Sequence, residues 1–226
     1  MLTSEERATA WPEILDAQVA EDEERSGTRR TDWKVGGRAS KANPNREDLA
    51  FWREEGLRQG EAYVKWLSDT GWRIATMPDG KPGIEWEATV WFGGKPCRLV
   101  IDAIYEVGDD WVIVDYKSGS KTPGSTLQLA LYASALEQVV GRRPKWGAFL
   151  MTRKMELTPL TDLSAWGGAF IDYQFEAMEA AMETGYFPPV VGDHCEYRCS
   201  VRDYCIAVKG SKSADVPLHI PTKENR

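Results

Sequence analysis

The sequence predicts a mixed α/β fold whose core runs helix, three-stranded antiparallel meander, helix, strand. Three observations predict it. Apolar residues recur at helical spacing up to about residue 70 and then switch to strand-like runs. Three such runs, rich in Val, Ile, Trp and Tyr, are separated by short glycine turns. A second helical stretch then leads to one more apolar run.

Taking the elements in order, residues 4–24 place Ala8, Trp11, Ile14, Leu15 and Val19 at helical spacing on an acidic segment. Ser4 with Arg7 three residues later is no capping box, so the start of this helix is undefined at this level. Residues 25–45 turn basic and Gly/Ser/Asn-rich, reading as a flexible arm that is either a solvated linker or a DNA contact. A helix over 47–69 carries Leu49, Trp52, Leu57, Val64 and Leu67 on one face and ends near Gly71. Strands are expected at 84–92, 98–106 and 111–117, joined at Gly93-Gly94 and Gly108-Asp109-Asp110. A helix at about 125–140 is closed by Gly141, a strand follows at 146–151, and a last helix over 162–184 ends at Gly185. The resulting division is an N-terminal helix and arm (1–45), a core (46–188), a cysteine-rich segment (189–207) and a polar, mobile tail (208–226).

At 226 residues, 42% hydrophobic and 28% charged, the chain has enough apolar content for a real core. No apolar run approaches the length of about 20 residues that spans a bilayer. The polar N-terminus does not read as a signal peptide, so a cytoplasmic protein is expected. The net charge of −7 argues against a protein that coats nucleic acid electrostatically. It leaves room for an enzyme that gathers carboxylates around cations and so reverses the local sign. The ten tryptophans read first as core filling, with stacking on unpaired bases as the alternative for one or two. No phosphate-binding loop is present, because Gly119-Ser120-Lys121-Thr122 lacks the required glycine spacing.

The chemistry concentrates on two adjacent strands. Asp102 interrupts the apolar run Leu99–Ile104, and Asp115 ends another, Trp111–Val114, with Lys117 two residues on. A carboxylate in an apolar strand costs several kcal/mol unless something pairs with it. Period-two geometry puts Asp115 and Lys117 on one face, and the hairpin brings the Asp102 strand alongside. Two carboxylates and a backbone carbonyl suit Mg²⁺ or Mn²⁺, and a nearby lysine suits phosphodiester hydrolysis. The same residues would also serve as a structural ion pair.

Asp102, then Asp115-Tyr116-Lys117, then Gln128-Leu129-Ala130-Leu131-Tyr132, resembles the signature of the PD-(D/E)XK nuclease superfamily. The RecB-like branch is the most similar, including CRISPR-associated and phage iron–sulfur exonucleases. This resemblance, spanning about residues 47–205, implies a restriction-endonuclease-like core and a metal-dependent deoxyribonuclease. In it Asp102, Asp115 and the Tyr116 carbonyl hold Mg²⁺ or Mn²⁺, Lys117 is the catalytic lysine, and Gln128 and Tyr132 face the site. The branch's metal-binding histidine is missing, since only His194 and His219 occur. Glu61 is the expected substitute, with Glu54 and Glu87 behind it. Ile101 stands where the superfamily's name has proline.

Cys195-x3-Cys199-x5-Cys205 resembles the C-terminal motif of the iron–sulfur members, with one extra residue in the first gap. The resemblance implies a [4Fe–4S] cluster on these three with Cys97 or His194 as fourth ligand; zinc is the second reading, particularly if His194 serves, and unligated buried thiols the third. Arg198 and Arg202, between the cysteines, are solvated side chains or phosphate contacts. The resemblance implies an exonuclease acting on single-stranded or duplex DNA ends in recombination, repair or phage DNA metabolism, in a bacterial or phage-infected cytoplasm. A helicase or recombination partner and a homo-oligomer are compatible with it. The competing readings are a non-catalytic or partner-dependent DNA-binding module and a CRISPR spacer-processing nuclease.

Overall fold

The computed structural model describes residues 3–33, 35–37, 39–41, 44, 46–119, 121–185, 192, 195 and 199–215. The chain divides into two compact units, residues 1–88 with 98–165, and residues 89–97 with 166–226.

The first unit opens with α1, Ser4–Ser26. Its start is well defined: Thr3 accepts from the Glu6 N–H while the Glu6 side chain accepts from the Thr3 N–H. This is a capping box one residue earlier than the Ser4–Arg7 pair considered in the sequence, and it satisfies two otherwise orphaned donors. Helix α2, Leu49–Thr70, is capped by Asp48, whose carboxylate takes the Phe51 N–H at 2.9 Å, and ends at Gly71 in the left-handed region. The two helices pack where Gly56 lies under the Trp11 indole. Trp11 Nε1 donates to the Arg53 carbonyl at 2.9 Å, and Arg53 pairs with Asp16.

The sheet is mixed. Its strands are β1 (Arg73–Ile74), β2 (Ile84–Phe92), β3 (Lys95–Val107), β4 (Asp110–Lys117), β5 (Trp146–Met151), β6 (Glu156–Leu157) and β7 (Thr161–Asp162). The order is β1-β3-β4-β5-β6, with β2 on β3 and β7 on β5. β3 and β4 are antiparallel, pairing Ala103 with Val114 and Tyr105 with Val112. β5 lies parallel to β4, after the crossover helix α3 (Leu127–Val140).

Alternation along β3 and β4 divides the core. Ala103, Tyr105, Val112, Val114 and Leu150 are buried on one face, against Tyr63, Trp66 and Leu67 of α2. On that face the hydroxyls of Tyr63, Tyr105 and Tyr116 form a chain, 2.7 Å from Tyr63 to Tyr105 and 2.6 Å from Tyr105 to Tyr116. Burial raises the pKa of both Tyr105 and Tyr116 well above the ordinary phenol range. Leu129, Ala130, Ala133 and Leu136 of α3 are also buried.

The second unit holds the tip of the β2–β3 hairpin and α4, Gly168–Thr184. Gly93, at φ +52°, donates its N–H to Asp172 at 2.8 Å, and a Cβ there would press on Phe175. Lys95 pairs with Glu179 at 3.0 Å. The last helix thus starts six residues later than the sequence suggests, because Thr161 and Asp162 pair with β5. Residues 209–215 turn back on the preceding segment, with the Lys212 N–H on the Asp203 carbonyl at 2.7 Å. The remainder of the expected tail, 216–226, lies outside the described residues. Among the described residues no helix is long and apolar enough to cross a membrane.

Replacing Gly56 with Ala tests the α1–α2 contact. Helix propensity alone would favour alanine by about 1 kcal/mol. The new methyl overlaps the Trp11 ring, so a net loss of about 1–3 kcal/mol is expected by thermal or urea denaturation. A stabilised Gly56→Ala variant would show that this contact yields freely.

Candidate active site

The site forms where β3 and β4 leave their regular ladder. The paired ladder ends at Ala103–Val114, and one step further brings Asp102 level with Asp115. Directly opposed residues in an antiparallel pair share a face, so both carboxylates stand on the face opposite the tyrosine chain. Asp102 Oδ2 accepts the Tyr116 backbone N–H at 2.7 Å. This bond ties the first acidic strand to the peptide between the second carboxylate and the lysine.

Asp115 is 2% exposed and, with Ser134, one of two polar residues among the fully buried described side chains. Its carboxyl is pushed up from the ordinary range, first by burial and then by the negative charge of Asp102, while Lys117 opposes both. The Lys117 ammonium lies 2.5 Å from Asp115 Oδ2. That oxygen nonetheless has no well-aligned hydrogen bond, so the contact is a close ion pair with imperfect donor geometry. Lys117 Nζ also donates to Gln128 Oε1 at 3.1 Å, and Gln128 Nε2 donates to the Tyr132 hydroxyl at 2.8 Å. Gln128 and Tyr132 are four residues apart on α3 and therefore share a helix face. Burial also raises the Tyr132 pKa, with the charges of Asp115, Asp102 and Glu85 adding to it.

Asp102, Asp115, Tyr116, Lys117, Gln128 and Tyr132 are thus brought together. Glu61 is exposed on α2, and its carboxylate accepts from the Ser4 hydroxyl. Glu54 is exposed, and Glu87 forms a fork with Arg98 at 2.6 and 2.7 Å. Among the described residues no third His, Cys, Asp or Glu joins Asp102 and Asp115 in a metal-sized group. A further carboxylate whose charge acts on Tyr132 is that of Glu85, which is exposed and was not among the residues the sequence pattern singles out. It is the second residue of β2, at φ +46°, a left-handed conformation that costs a non-glycine residue about 1 kcal/mol or more. Only its acidity was visible in the sequence; its left-handed backbone was not.

A divalent cation fits this donor set. Two carboxylates, one carrying a buried oxygen without an aligned donor, match the one or two carboxylates and retained waters typical of Mg²⁺. The cysteines present no such fit. Cys195 is buried, while Cys97, Cys199 and Cys205 are half-buried; all four belong to the second unit and none is in a disulfide. No three of them are gathered as a ligand group. Burial raises the Cys97 thiol pKa. Arg202 is exposed, while His194 and Arg198 lie outside the described residues.

The chain is 32% identical over 160 residues to the Gene 69 protein of Mycobacterium phage D29, covering 68% of this chain and 59% of that protein. It is 30% identical over 179 residues to the Gene 69 protein of Mycobacterium phage L5, covering 68% and 61%. The chain therefore spans about three-fifths of the length of these relatives. The crystal structure of SSO0001 aligns with a TM-score of 0.37 and 12% identity, over 69% of this chain and 70% of that one. That likeness is too low to bear on the fold. The family described as the PD-(D/E)XK nuclease superfamily matches residues 5–206, and the chain belongs to that superfamily.

Proposed function

We propose that the protein is a metal-dependent deoxyribonuclease of the RecB-like branch that hydrolyses phosphodiester bonds at DNA ends. The observation that carries this reading is the linked set Asp115, Lys117, Gln128 and Tyr132, with Asp102 level with Asp115 and bonded to the Tyr116 N–H. Family membership supports nuclease chemistry. Both curated relatives are phage proteins, which supports a phage setting; a role in recombination or repair within a host cytoplasm rests on the resemblance alone.

In this reading Asp102, Asp115 and the Tyr116 carbonyl hold Mg²⁺ or Mn²⁺. The bound ion supplies Lewis-acid polarisation of the phosphate and a more acidic water. Lys117 positions that water and stabilises the charge developing on the phosphate. Its bond to Gln128 restrains the ammonium, and Tyr132 fixes the Gln128 amide in turn. Asp115 keeps Lys117 close before substrate arrives.

The expected outcome on end-labelled linear DNA is metal-dependent degradation that spares a closed circle and stops with EDTA. Lys117→Ala should lose at least about 10²-fold in rate. Asp115→Asn should also be inactive, yet melt a few degrees higher without metal, because it relieves a buried carboxylate. Cleavage retained in either variant would remove the assigned site. A wild type that binds linear DNA without cutting it would instead favour a partner-dependent or non-catalytic module.

Glu61 and Glu85 compete for the remaining metal contact, and Glu61 joins only by releasing Ser4. Metal titration of Glu61→Gln and Glu85→Gln separates them. Weaker metal binding by about tenfold is expected for Glu85→Gln. The same loss in Glu61→Gln would assign that role to α2.

A [4Fe–4S] cluster on Cys195, Cys199, Cys205 and Cys97, or zinc in its place, rests on the cysteine spacing. Anaerobically purified protein carrying about four irons per chain, lost in Cys199→Ser, is the result that supports it. Metal-free, colourless protein with full nuclease activity would remove it.

A further inference from the structure

We propose that Arg153 is a positioning residue that sets the end of β4, and Lys117 with it, by gripping the Ser118 carbonyl; this rests on the nuclease reading of Lys117. Arg153 stands two residues beyond the end of β5. Its Nε donates to the Ser118 carbonyl at 2.5 Å. Its Nη1 and Nη2 form a fork with the Glu47 carboxylate at 2.8 and 2.9 Å. The guanidinium also lies over the Trp52 ring, 5.2 Å from its centroid. The neighbouring Thr152 N–H donates to the Lys117 carbonyl at 3.1 Å. The two peptides that follow the lysine side chain are therefore held by consecutive residues of one strand end.

The grip is itself anchored. Arg58 donates to the Arg153 carbonyl at 2.8 Å and is fixed by Glu55 one helical turn away. Glu47 is half-buried, and the Arg153 bonds hold its carboxyl below the ordinary range. It fits there because Gly36 and Gly37 carry no side chain. A Cβ on Gly37 would come within 2.7 Å of Glu47, and the Glu47 N–H bonds the Gly36 carbonyl at 3.2 Å. A continuous path thus runs from the basic arm through Glu47 and Arg153 to the residue after Lys117.

Nε, Nη1 and Nη2 of Arg153 all have protein partners, so a DNA phosphate would have to displace Glu47 to reach the fork. Only the planar guanidinium bonds a backbone carbonyl and a carboxylate at once while stacking on an indole; lysine does not. A displacement of about 1 Å at a catalytic group can cost about 10²-fold in rate.

The experiment compares full-length wild type, Arg153→Met, Arg153→Lys, Glu47→Gln and the Glu47→Gln/Arg153→Met double variant. Steady-state cleavage of a linear duplex oligonucleotide with Mg²⁺ is measured beside amide exchange over residues 117–119. Arg153→Met should lower kcat by about 10–10²-fold with KM within about twofold. Arg153→Lys should recover little of it. Glu47→Gln should act in the same direction more weakly, and the double variant should be no worse than Arg153→Met alone. Exchange at 117–119 should quicken about tenfold in Arg153→Met. Unchanged kcat in a folded Arg153→Met protein would overturn the proposal, as would a raised KM with a flatter salt dependence, the signature of a phosphate contact. Because exchange needs no catalysis, an inactive wild type with quickened exchange in the variant counts against the nuclease reading alone. Unchanged exchange counts against the clamp whatever the activity.

Discussion

Asp115 is a carboxylate placed at the end of an apolar strand, almost wholly out of water and level with a second carboxylate. Left unpaired, such a group would cost several kcal/mol, a large share of a domain's net stability. Much of the surrounding architecture answers that constraint. Lys117 returns to the same face two residues later, and the Tyr116 N–H between them holds Asp102. Gln128 and Tyr132 take up the lysine from α3. The compensation is incomplete, since one Asp115 oxygen has no aligned donor. An incompletely satisfied buried anion is a poor structural ion pair and a good place for a cation.

The two faces of the sheet carry different duties because of strand alternation. On the α2 face, Tyr63, Tyr105 and Tyr116 share hydroxyl bonds within an aromatic layer completed by Trp66 and Trp72. Burial keeps Tyr105 and Tyr116 protonated, so this layer is neutral and rigid. On the α3 face the same strands present carboxylates and an ammonium. Tyr116 joins the two faces, with its side chain in the aromatic layer and its peptide N–H on Asp102. A rigid apolar layer behind a charged site resists the relaxation that unpaired charges would otherwise drive.

The fold was largely legible because its main elements are long and periodic. β2 and β5 have the bounds their apolar runs suggest, and the glycines at 71, 141 and 185 close helices in left-handed conformations. Departures arose where a neighbour decides the local structure. Thr161 and Asp162 read as the start of a helix, yet pairing with Gly147 and Trp146 makes them an edge strand. The α1 cap is legible in Thr3 and Glu6, which have the capping-box spacing one residue before Ser4.

For the site, sequence alone determined that Asp102, Asp115 and Lys117 share a face, because that follows from a period of two and a short hairpin. It likewise determined that Gln128 and Tyr132 share a helix face. Only the tertiary structure decided that Glu61 turns to Ser4, that Glu87 pairs with Arg98 and that the charge of Glu85 is felt at Tyr132. Only it joined Glu47 to Arg153, 106 residues apart, and Arg153 to the carbonyl beside the lysine. Periodicity reports which way a side chain points within its own element. It carries no record of which distant partner waits there, because such contacts depend on how helices and loops pack against the sheet.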